Sequence, residues 1–363
     1  MRATDSDGFT VIGKPWSLGR RIAAAAVAFV GIGFLVFAVA GSNPEGRLAG
    51  AGSTLANPIL QRVSTSYQGY LAADRIDMTR QEGQSGDWTG GASALDYDPV
   101  GSVGGLMRLG DPAVTFAVTE VPLAPDELSA QGKVQFPLIL GAAAPVANLD
   151  LAGADLVLDA KVLATIYRGE ITNWSDPAIA ALNPAVTLPD QPISVRHRRD
   201  GSGTTWTFTG YLAQAANWTG GQAAQVAWPV GEGAEGSRGL IEAVKATPGA
   251  IGYAEVGQAR RAGLAVIRLI DGAGNVVTPS PASIRAAAGP ATGQQGAPGW
   301  PMTATVYVVM RKSDPQNDRA LAFFRYFYAE AGRQADALGY VPLPVEVVTE
   351  IEAHWALTFN KQS

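Results

Sequence analysis

The 363-residue sequence predicts an α/β protein, and three observations support that fold class. Short apolar runs alternate with helical stretches from Arg47 onward, as strands alternate with helices in α/β proteins. Glycine-rich turns join several of the apolar runs to the helix that follows. The composition, with 47% hydrophobic residues, 16% charged residues and 43 glycines, is typical of a globular chain with many loops.

The first predicted elements are two helices, each preceded by a glycine-rich turn. A strand from Arg47 runs into the turn GAGST (50–54), and Pro58 lies in the first turn of the next helix, where proline is favoured. GSVGG (101–105) opens a second helix, and the following strand is predicted at 114–118.

The remaining chain continues the alternation. Residues 136–145 form a buried apolar run, and the apolar spacing from 160 to 168 predicts a helix. Residues 302–310 are strongly β in character, and 318–331 predict an amphipathic helix whose aromatic stripe packs in the core. Two stretches rich in glycine, alanine or proline are predicted to be surface loops, 81–99 and 271–299.

The turn DGSGT (200–204) has the chemistry of an anion site. A helix start leaves backbone N–H groups unpaired and carries partial positive charge, so an oxyanion is stabilised there. Ser202 and Thr204 add hydroxyl donors, and the planar guanidinium of Arg198 suits a tetrahedral oxyanion. The alternative interpretation is an ordinary capped helix after a glycine turn.

Two further turns share this composition, and together the three loops predict one site. GAGST, GSVGG and DGSGT each combine glycines with a hydroxyl where a strand meets a helix, and Glu120 follows a strand end. Open α/β folds place ligands at the carboxyl edge of the sheet. We therefore expect the three loops, Arg198 and Glu120 to converge on a small anion.

Composition excludes several classes of partner and chemistry. The net charge of −5 argues against nucleic acid as a partner. The chain has no cysteine and two histidines, so it can form neither disulfides nor thiolate metal sites, and we predict no metal and no cofactor. A lone His197 beside an arginine is more typical of a strand surface than of a general acid.

The N-terminal part contains a membrane-targeting signal. The uncharged run Ile22–Ala40 follows Arg20 and Arg21, and nineteen residues nearly cover a hydrocarbon core of roughly 30 Å. The positive flank stays inside, which sends the C-terminal bulk across the membrane. An uncleaved signal anchor is the favoured reading, and cleavage after Ala40 is the alternative.

From Leu48 to the C-terminus the sequence resembles the substrate-binding protein of the high-affinity bacterial phosphate ABC importer. The segments that carry the resemblance are AGAGSTLANP, TFAVTEVPL, FPLILGAAAPVANL, RRDGSGTTWTFTGYL, PGAIGYAEV, WPMTATVYVV and GYVPLP. It implies a two-lobed periplasmic-binding-protein-like fold of type II, with a hinge and a ligand cleft between the lobes. It also implies lobe 1 at 46–139 plus 301–363 and lobe 2 at 140–300. The apolar run before them predicts a cytoplasmic tail and an N-terminal membrane anchor or signal segment at 1–45, and an anchor departs from the family pattern.

The resemblance also implies the residues that hold phosphate. They are Thr54, Leu55, Ser102, Glu120, Arg198, Ser202, Gly203 and Thr204, with Asp200 orienting the binding arginine. Glu120 stands where the family has an aspartate that accepts the proton of monohydrogen phosphate. Glutamate keeps the acceptor but is one methylene longer, and an acceptor-only carboxylate favours phosphate over sulfate. Leu55 replaces an aromatic residue that contributes mainly its N–H.

We therefore expect the protein to bind its ligand without catalysing a reaction. The resemblance implies a monomeric phosphate receptor in the periplasm that delivers its ligand to an ABC permease and ATPase. A membrane-anchored sensor or scaffold that binds phosphate or another oxyanion without transport is the alternative. An exported phosphatase is disfavoured because the chain lacks a GxxxxGK[ST] loop, a GxSxG elbow and a cluster of residues for two metals.

Overall fold

The computed structural model describes residues 48–82, 95–288 and 298–359. Within them, strands form a nine-stranded mixed sheet and a three-stranded sheet. The strands are β1 (Leu48–Gly52), β2 (Leu95–Asp98), β3 (Phe116–Thr119), β4 (Lys133–Ala147), β5 (Val157–Leu158), β6 (Ser194–Arg198), β7 (Glu232–Ala234), β8 (Ala250–Glu255), β9 (Ala265–Val266), β10 (Arg268–Ile270), β11 (Val276–Val277) and β12 (Thr303–Arg311). The helices are α1 (Asn57–Glu82), α2 (Ser102–Arg108), α3 (Pro125–Ala130), α4 (Ala160–Tyr167), α5 (Pro177–Leu182), α6 (Gly203–Leu212), α7 (Gly236–Ala246), α8 (Val256–Arg261), α9 (Pro281–Ala287), α10 (Asn317–Leu338) and α11 (Val345–Phe359).

The nine-stranded sheet has parallel strands at both ends and antiparallel strands in the middle. Its order is β2-β1-β3-β12-β4-β8-β6-β7, with β9 also paired to β4. β1 is parallel to β2 and β3, and β6 is parallel to β7 and β8. Strands that run the same way end at the same edge, so the loops after β1, β2 and β3 lie together, as do those after β6, β7 and β8.

β4 connects two separate hydrophobic cores. Lys133 to Ala142 pair with β12, whereas Ala143 to Ala147 pair with β8. The side chains of β4 up to Ile139 pack in the first core with α1, α10 and α11, and those from Leu140 onward pack in the second core with α4, α6 and α7. The fold is thus two-lobed, with β4 shared by both cores.

Aromatic packing in the second core holds a tyrosine hydroxyl beneath the predicted anion site. The rings of Phe208 and Tyr253 stack with their centroids 4.4 Å apart, and Tyr167 contacts Phe208 edge-on at 4.8 Å. The Tyr253 hydroxyl accepts a hydrogen bond from the Arg198 backbone N–H at 3.0 Å. Core packing therefore fixes the end of β6, from which the binding loop departs.

The strands and helices predicted around the glycine loops are confirmed, but the two predicted surface loops are wrong in part. α1 continues to Glu82 and β2 occupies 95–98, while 83–94 lie outside the described residues. Tyr97 of β2 is buried and donates its hydroxyl to the Ser53 carbonyl at 2.9 Å. Only four residues alternate there, two of them are aspartates and a proline follows, so the strand signal is short.

The stretch 271–299 also contains regular structure, namely β11 and α9. Ser280 and Pro281 are common in loops, but here they mark a helix start. Ser280 caps α9 by accepting from the Ser283 N–H at 3.1 Å, and the Ser283 hydroxyl in turn accepts from the Ser280 N–H. Residues 289–297 lie outside the described residues.

The predicted membrane or signal segment Ile22–Ala40 lies outside the described residues. Among the helices of 48–82, 95–288 and 298–359, none combines the length and the apolar character that a membrane span requires.

Candidate functional site

The three glycine loops predicted to form one site lie within hydrogen-bonding distance of one another. The Gly101 N–H donates to the Gly52 carbonyl at 2.9 Å, and the Val103 N–H donates to the Gly201 carbonyl at 3.2 Å. The first two loops follow the parallel strands β1 and β2, and the third follows β6. The site is therefore built where carboxyl ends of strands from both halves of the sheet meet.

Arg198 is the buried cation of the site. Its side chain is 1% exposed, and its Nε donates to Asp200 Oδ1 at 2.6 Å while Nη2 pairs with Asp200 Oδ2. Nη1 points to the first loop, at 3.2 Å from Thr54 Oγ1, and lies 3.3 Å from Ser237 Oγ. The two-point pairing with Asp200 fixes the guanidinium plane and leaves Nη1 for the remaining contacts. Asp200 itself accepts a second bond, from the Gly236 N–H at 3.1 Å.

Glu120 places a carboxylate opposite the start of α6. The side chain is buried, and it accepts hydrogen bonds from the Ser53 hydroxyl and, at 2.5 Å, from the Ser102 hydroxyl. Burial raises the pKa of Glu120 above its ordinary value, although both hydroxyls act to lower it. The site thus contains a carboxylate with a strengthened hold on a proton.

The N-terminus of α6 meets the second loop at hydrogen-bonding distance. Ser202 caps the helix by accepting from the Thr205 N–H at 3.2 Å, and the Gly203 N–H donates to the Ser102 hydroxyl oxygen at 3.1 Å. A Cβ on Gly203 would overlap the Glu120 carboxylate. Glycine at this position is therefore required for the close approach of the helix start to Glu120.

Gly101 is required for a related reason. Its φ is +82°, and a Cβ there would lie 2.7 Å from the Gly201 carbonyl oxygen and 2.8 Å from Asp200 Oδ2. Because Gly101 immediately precedes Ser102, a side chain at this position would separate the second and third loops.

The other predicted residues also lie at the site. Leu55 is fully buried in the first core, and its carbonyl accepts from the Tyr340 hydroxyl at 2.5 Å, so its side chain serves packing while its backbone borders the site. Thr204 is buried in the first turn of α6. The structure thus brings together Thr54, Leu55, Ser102, Glu120, Arg198, Asp200, Ser202, Gly203 and Thr204.

Several contacting residues are absent from the sequence prediction. Ser53 donates to Glu120, Ser237 Oγ lies 2.7 Å from Thr54 Oγ1, and Gln258 donates from Nε2 to the Thr54 carbonyl at 3.1 Å. Ser237 and Gln258 follow the carboxyl ends of β7 and β8, so they reach the same edge of the sheet as the loop after β6. The available signal for Ser237 was the glycine-rich segment 231–236, which leads into an amphipathic helix.

A cavity of about 320 Å³ opens onto Glu120. Residues of α6, of β12 and of the loop after β3 line it, and most of the lining residues are polar or aromatic. They include Trp206, Thr207, Gln222, Thr303, Thr305 and Tyr307.

His197 lies on β6 and is not part of this hydrogen-bonded cluster. Its ring stacks on Trp228 with centroids 5.5 Å apart, and burial lowers the pKa of His197. The sequence favoured a position on a strand over a role as general acid, and His197 does lie on a strand.

Glu255 is a second buried carboxylate and precedes Gln258 by three residues. It caps α8 by accepting from the Gly257 and Gln258 N–H groups at 2.6 and 2.7 Å. Burial raises the pKa of Glu255 from 4.5 to about 7, while those bonds and Arg261 act in the opposite direction. Since α8 carries Gln258, this cap supports the contact to Thr54.

The raised pKa of Glu255 predicts that the free energy of unfolding depends on pH. Because its folded pKa is raised, the folded state binds the proton more tightly, so this stabilisation is fully present below pH 4.5 and is lost as pH rises to about 7. Glu255→Gln should remove this loss, which amounts to about 3 kcal/mol at most. Urea unfolding of the ligand-free chain at pH 5 and pH 8 measures it, with the exposed Glu242→Gln as control. The prediction is wrong if wild type and Glu255→Gln change equally between the two pH values.

Comparisons with known proteins agree with this arrangement. A sequence model of the PBP superfamily domain matches residues 38–331. The phosphate-binding protein PstS of Xylella fastidiosa (strain 9a5c) is 34% identical over 333 residues, which cover 86% of this chain and 86% of that protein. The phosphate-binding protein PstS of Haemophilus influenzae is 33% identical over 343 residues, covering 89% and 95% respectively.

A solved structure shows the same fold. The ancestral soluble variant of the human phosphate binding protein superposes with a TM-score of 0.62 at 21% identity, covering 85% of this chain and 93% of that one. At this identity the similarity concerns the two-lobed architecture alone.

Proposed function

The chain belongs to the PBP superfamily and, within it, to the phosphate-binding proteins named PstS, and from that membership we propose that it captures inorganic phosphate for import. It is a binding protein and not an enzyme. The observation that carries the proposal is that one buried guanidinium, Arg198, and one buried carboxylate, Glu120, both belong to the cluster of loops at the N-terminus of α6.

This combination selects for a tetrahedral oxyanion that still carries a proton. The Arg198 guanidinium, the hydroxyls and the N–H groups of α6 donate hydrogen bonds to oxygen atoms, whereas an ionised Glu120 only accepts. Monohydrogen phosphate can donate its proton to Glu120, but sulfate has none to donate. The arrangement therefore favours phosphate through both attraction and exclusion.

The proposed ligand contacts are those implied by the family pattern. They come from Thr54, Leu55, Ser102, Glu120, Arg198, Ser202, Gly203 and Thr204, with Asp200 orienting the arginine. Micromolar affinity corresponds to about −8 kcal/mol, and a few charge-assisted bonds of about 1.5 to 3 kcal/mol each supply it after the costs of binding.

Capture requires the lobes to close on the anion. We propose lobe 1 at 46–139 plus 301–363 and lobe 2 at 140–300, in the type II arrangement, with β4 as part of the hinge. The division follows the two hydrophobic cores, because the side chains of β4 pack in the first core before Leu140 and in the second core from Leu140 onward. Closure removes water from the site, and this strengthens each charge-assisted bond.

The proposed location is the periplasm, and the proposed recipients are an ABC permease and its ATPase. The sequence of Ile22–Ala40, with arginines before it, supports export and a tether to the inner membrane. Cleavage after Ala40 is the competing outcome, and N-terminal sequencing of the mature protein distinguishes the two. A monomer is the expected oligomeric state.

Calorimetric titration tests the proposed function. The full chain, freed of bound anion, should bind one phosphate per chain and should not hydrolyse a chromogenic phosphate ester. Absence of phosphate binding would remove the proposal. Hydrolysis of the ester would show instead that the protein is an enzyme.

A further inference from the structure

We infer that Ser237 is a positioning residue of the anion site, because its hydroxyl fixes the direction in which the Thr54 hydroxyl donates. This inference rests on the proposed phosphate binding. It adds a residue of α7 to a site that the family pattern builds from the loops after β1, β2, β3 and β6.

The contacts of Ser237 place it inside the cluster rather than at its rim. The residue is 3% exposed, and its Oγ lies 2.7 Å from Thr54 Oγ1 and 3.3 Å from Arg198 Nη1. The preceding Gly236 donates its N–H to Asp200 Oδ1. The start of α7 is thus held against the Arg198–Asp200 pair, and Ser237 has a fixed place beside Thr54.

The hydrogens of this cluster, counted together with the proposed contact from Thr54 to the anion, give the direction of donation. Arg198 Nη1 donates to both hydroxyl oxygens, so neither hydroxyl can donate to the arginine. The short contact between the two hydroxyls uses one of their two hydrogens. The second hydrogen is left to donate elsewhere. Because the Thr54 hydroxyl is proposed to donate its own hydrogen to the anion, Ser237 is the donor in the contact between the two hydroxyls.

A second contact holds the backbone of the same residue. Gln258 of α8 donates to the Thr54 carbonyl at 3.1 Å, and α8 is packed in the second core. Thr54 belongs to the loop after β1, whose neighbouring residues Leu55 and Ala56 are in the first core. Both the hydroxyl and the carbonyl of Thr54 are therefore held from the opposite core, and separating the cores breaks both contacts.

The test is a double-mutant cycle on the full chain with inorganic phosphate as the ligand. Ser237→Ala should weaken phosphate affinity about tenfold, mainly through faster release, because one oriented hydrogen bond is lost. Thr54→Val removes the hydroxyl that Ser237 orients, so adding Ser237→Ala to it should cause no further loss. Arg238→Ala, the next residue of α7 and exposed, is the matched control and should bind like wild type.

Each outcome decides the inference. A loss of similar size in the Thr54→Val background would show that Ser237→Ala acts by general disturbance of α7, and unchanged affinity of the single variant would show no role; both overturn the inference. Thermal unfolding of the ligand-free variants checks that they fold, and Ser237→Thr, which keeps the hydroxyl, should retain affinity within about threefold. If wild type itself does not bind phosphate, the proposed function fails as well, whereas a binding wild type with an unaffected Ser237→Ala removes this inference alone.

Discussion

Replacing Arg198 with alanine is expected to weaken phosphate binding by about 2 to 5 kcal/mol. The loss has two sources. The anion loses its buried cation, and Asp200, which pairs with Arg198 through both oxygens, loses its cationic partner and keeps the hydrogen bond from the Gly236 N–H. A carboxylate without its cation also repels the incoming anion, so the effect exceeds that of one hydrogen bond.

Calorimetric titration of Arg198→Ala and wild type with phosphate measures this loss. Arg199→Ala is the matched control, because its guanidinium pairs with Glu235 at the surface and both side chains are more than half exposed. That control should change affinity by less than about 1 kcal/mol. A loss of less than about 1 kcal/mol for Arg198→Ala would take this residue out of the site.

The second large effect concerns selectivity. Glu120→Gln is expected to reduce the preference for phosphate over sulfate by about 100-fold or more, since juxtaposed like charges cost several kcal/mol. The amide is neutral and has nearly the same shape. Its oxygen can accept from Ser53 or Ser102, and its N–H₂ group can donate to sulfate, which the carboxylate repels.

Competition binding with both anions at one pH measures this change. Glu235→Gln is the control, because that carboxylate is exposed and pairs with Arg199. Unchanged selectivity in Glu120→Gln would mean that the carboxylate does not face the ligand.

The site was predictable to the extent that its residues are neighbours in sequence. Within GAGST, GSVGG and DGSGT the glycines and hydroxyls stand side by side, although the strand before GSVGG, β2, lies in a stretch predicted to be a surface loop. Gly101 and Gly203 are required because the loops approach each other closely at these positions, so the glycines in the sequence indicate this close approach.

Ser237 and Gln258 were not predictable in the same way. Each is a lone polar residue near a helix start, and only the pairing of β7 and β8 with β6 brings them to the site. Parallel pairing between strands far apart in sequence leaves no local pattern, so the sequence cannot show which loops become neighbours. The same reason hides the pairing of β2 with β1, which places Tyr97 under Ser53.

The most direct test of the account is equilibrium dialysis of labelled phosphate against the wild-type chain at pH 8 with a large excess of unlabelled sulfate. Monohydrogen phosphate keeps one proton at this pH, whereas sulfate has none, so the account predicts that one phosphate per chain stays bound. Displacement of the bound phosphate by the sulfate, or failure to retain phosphate without sulfate, would contradict the assignment of Glu120 and Arg198 to one phosphate site.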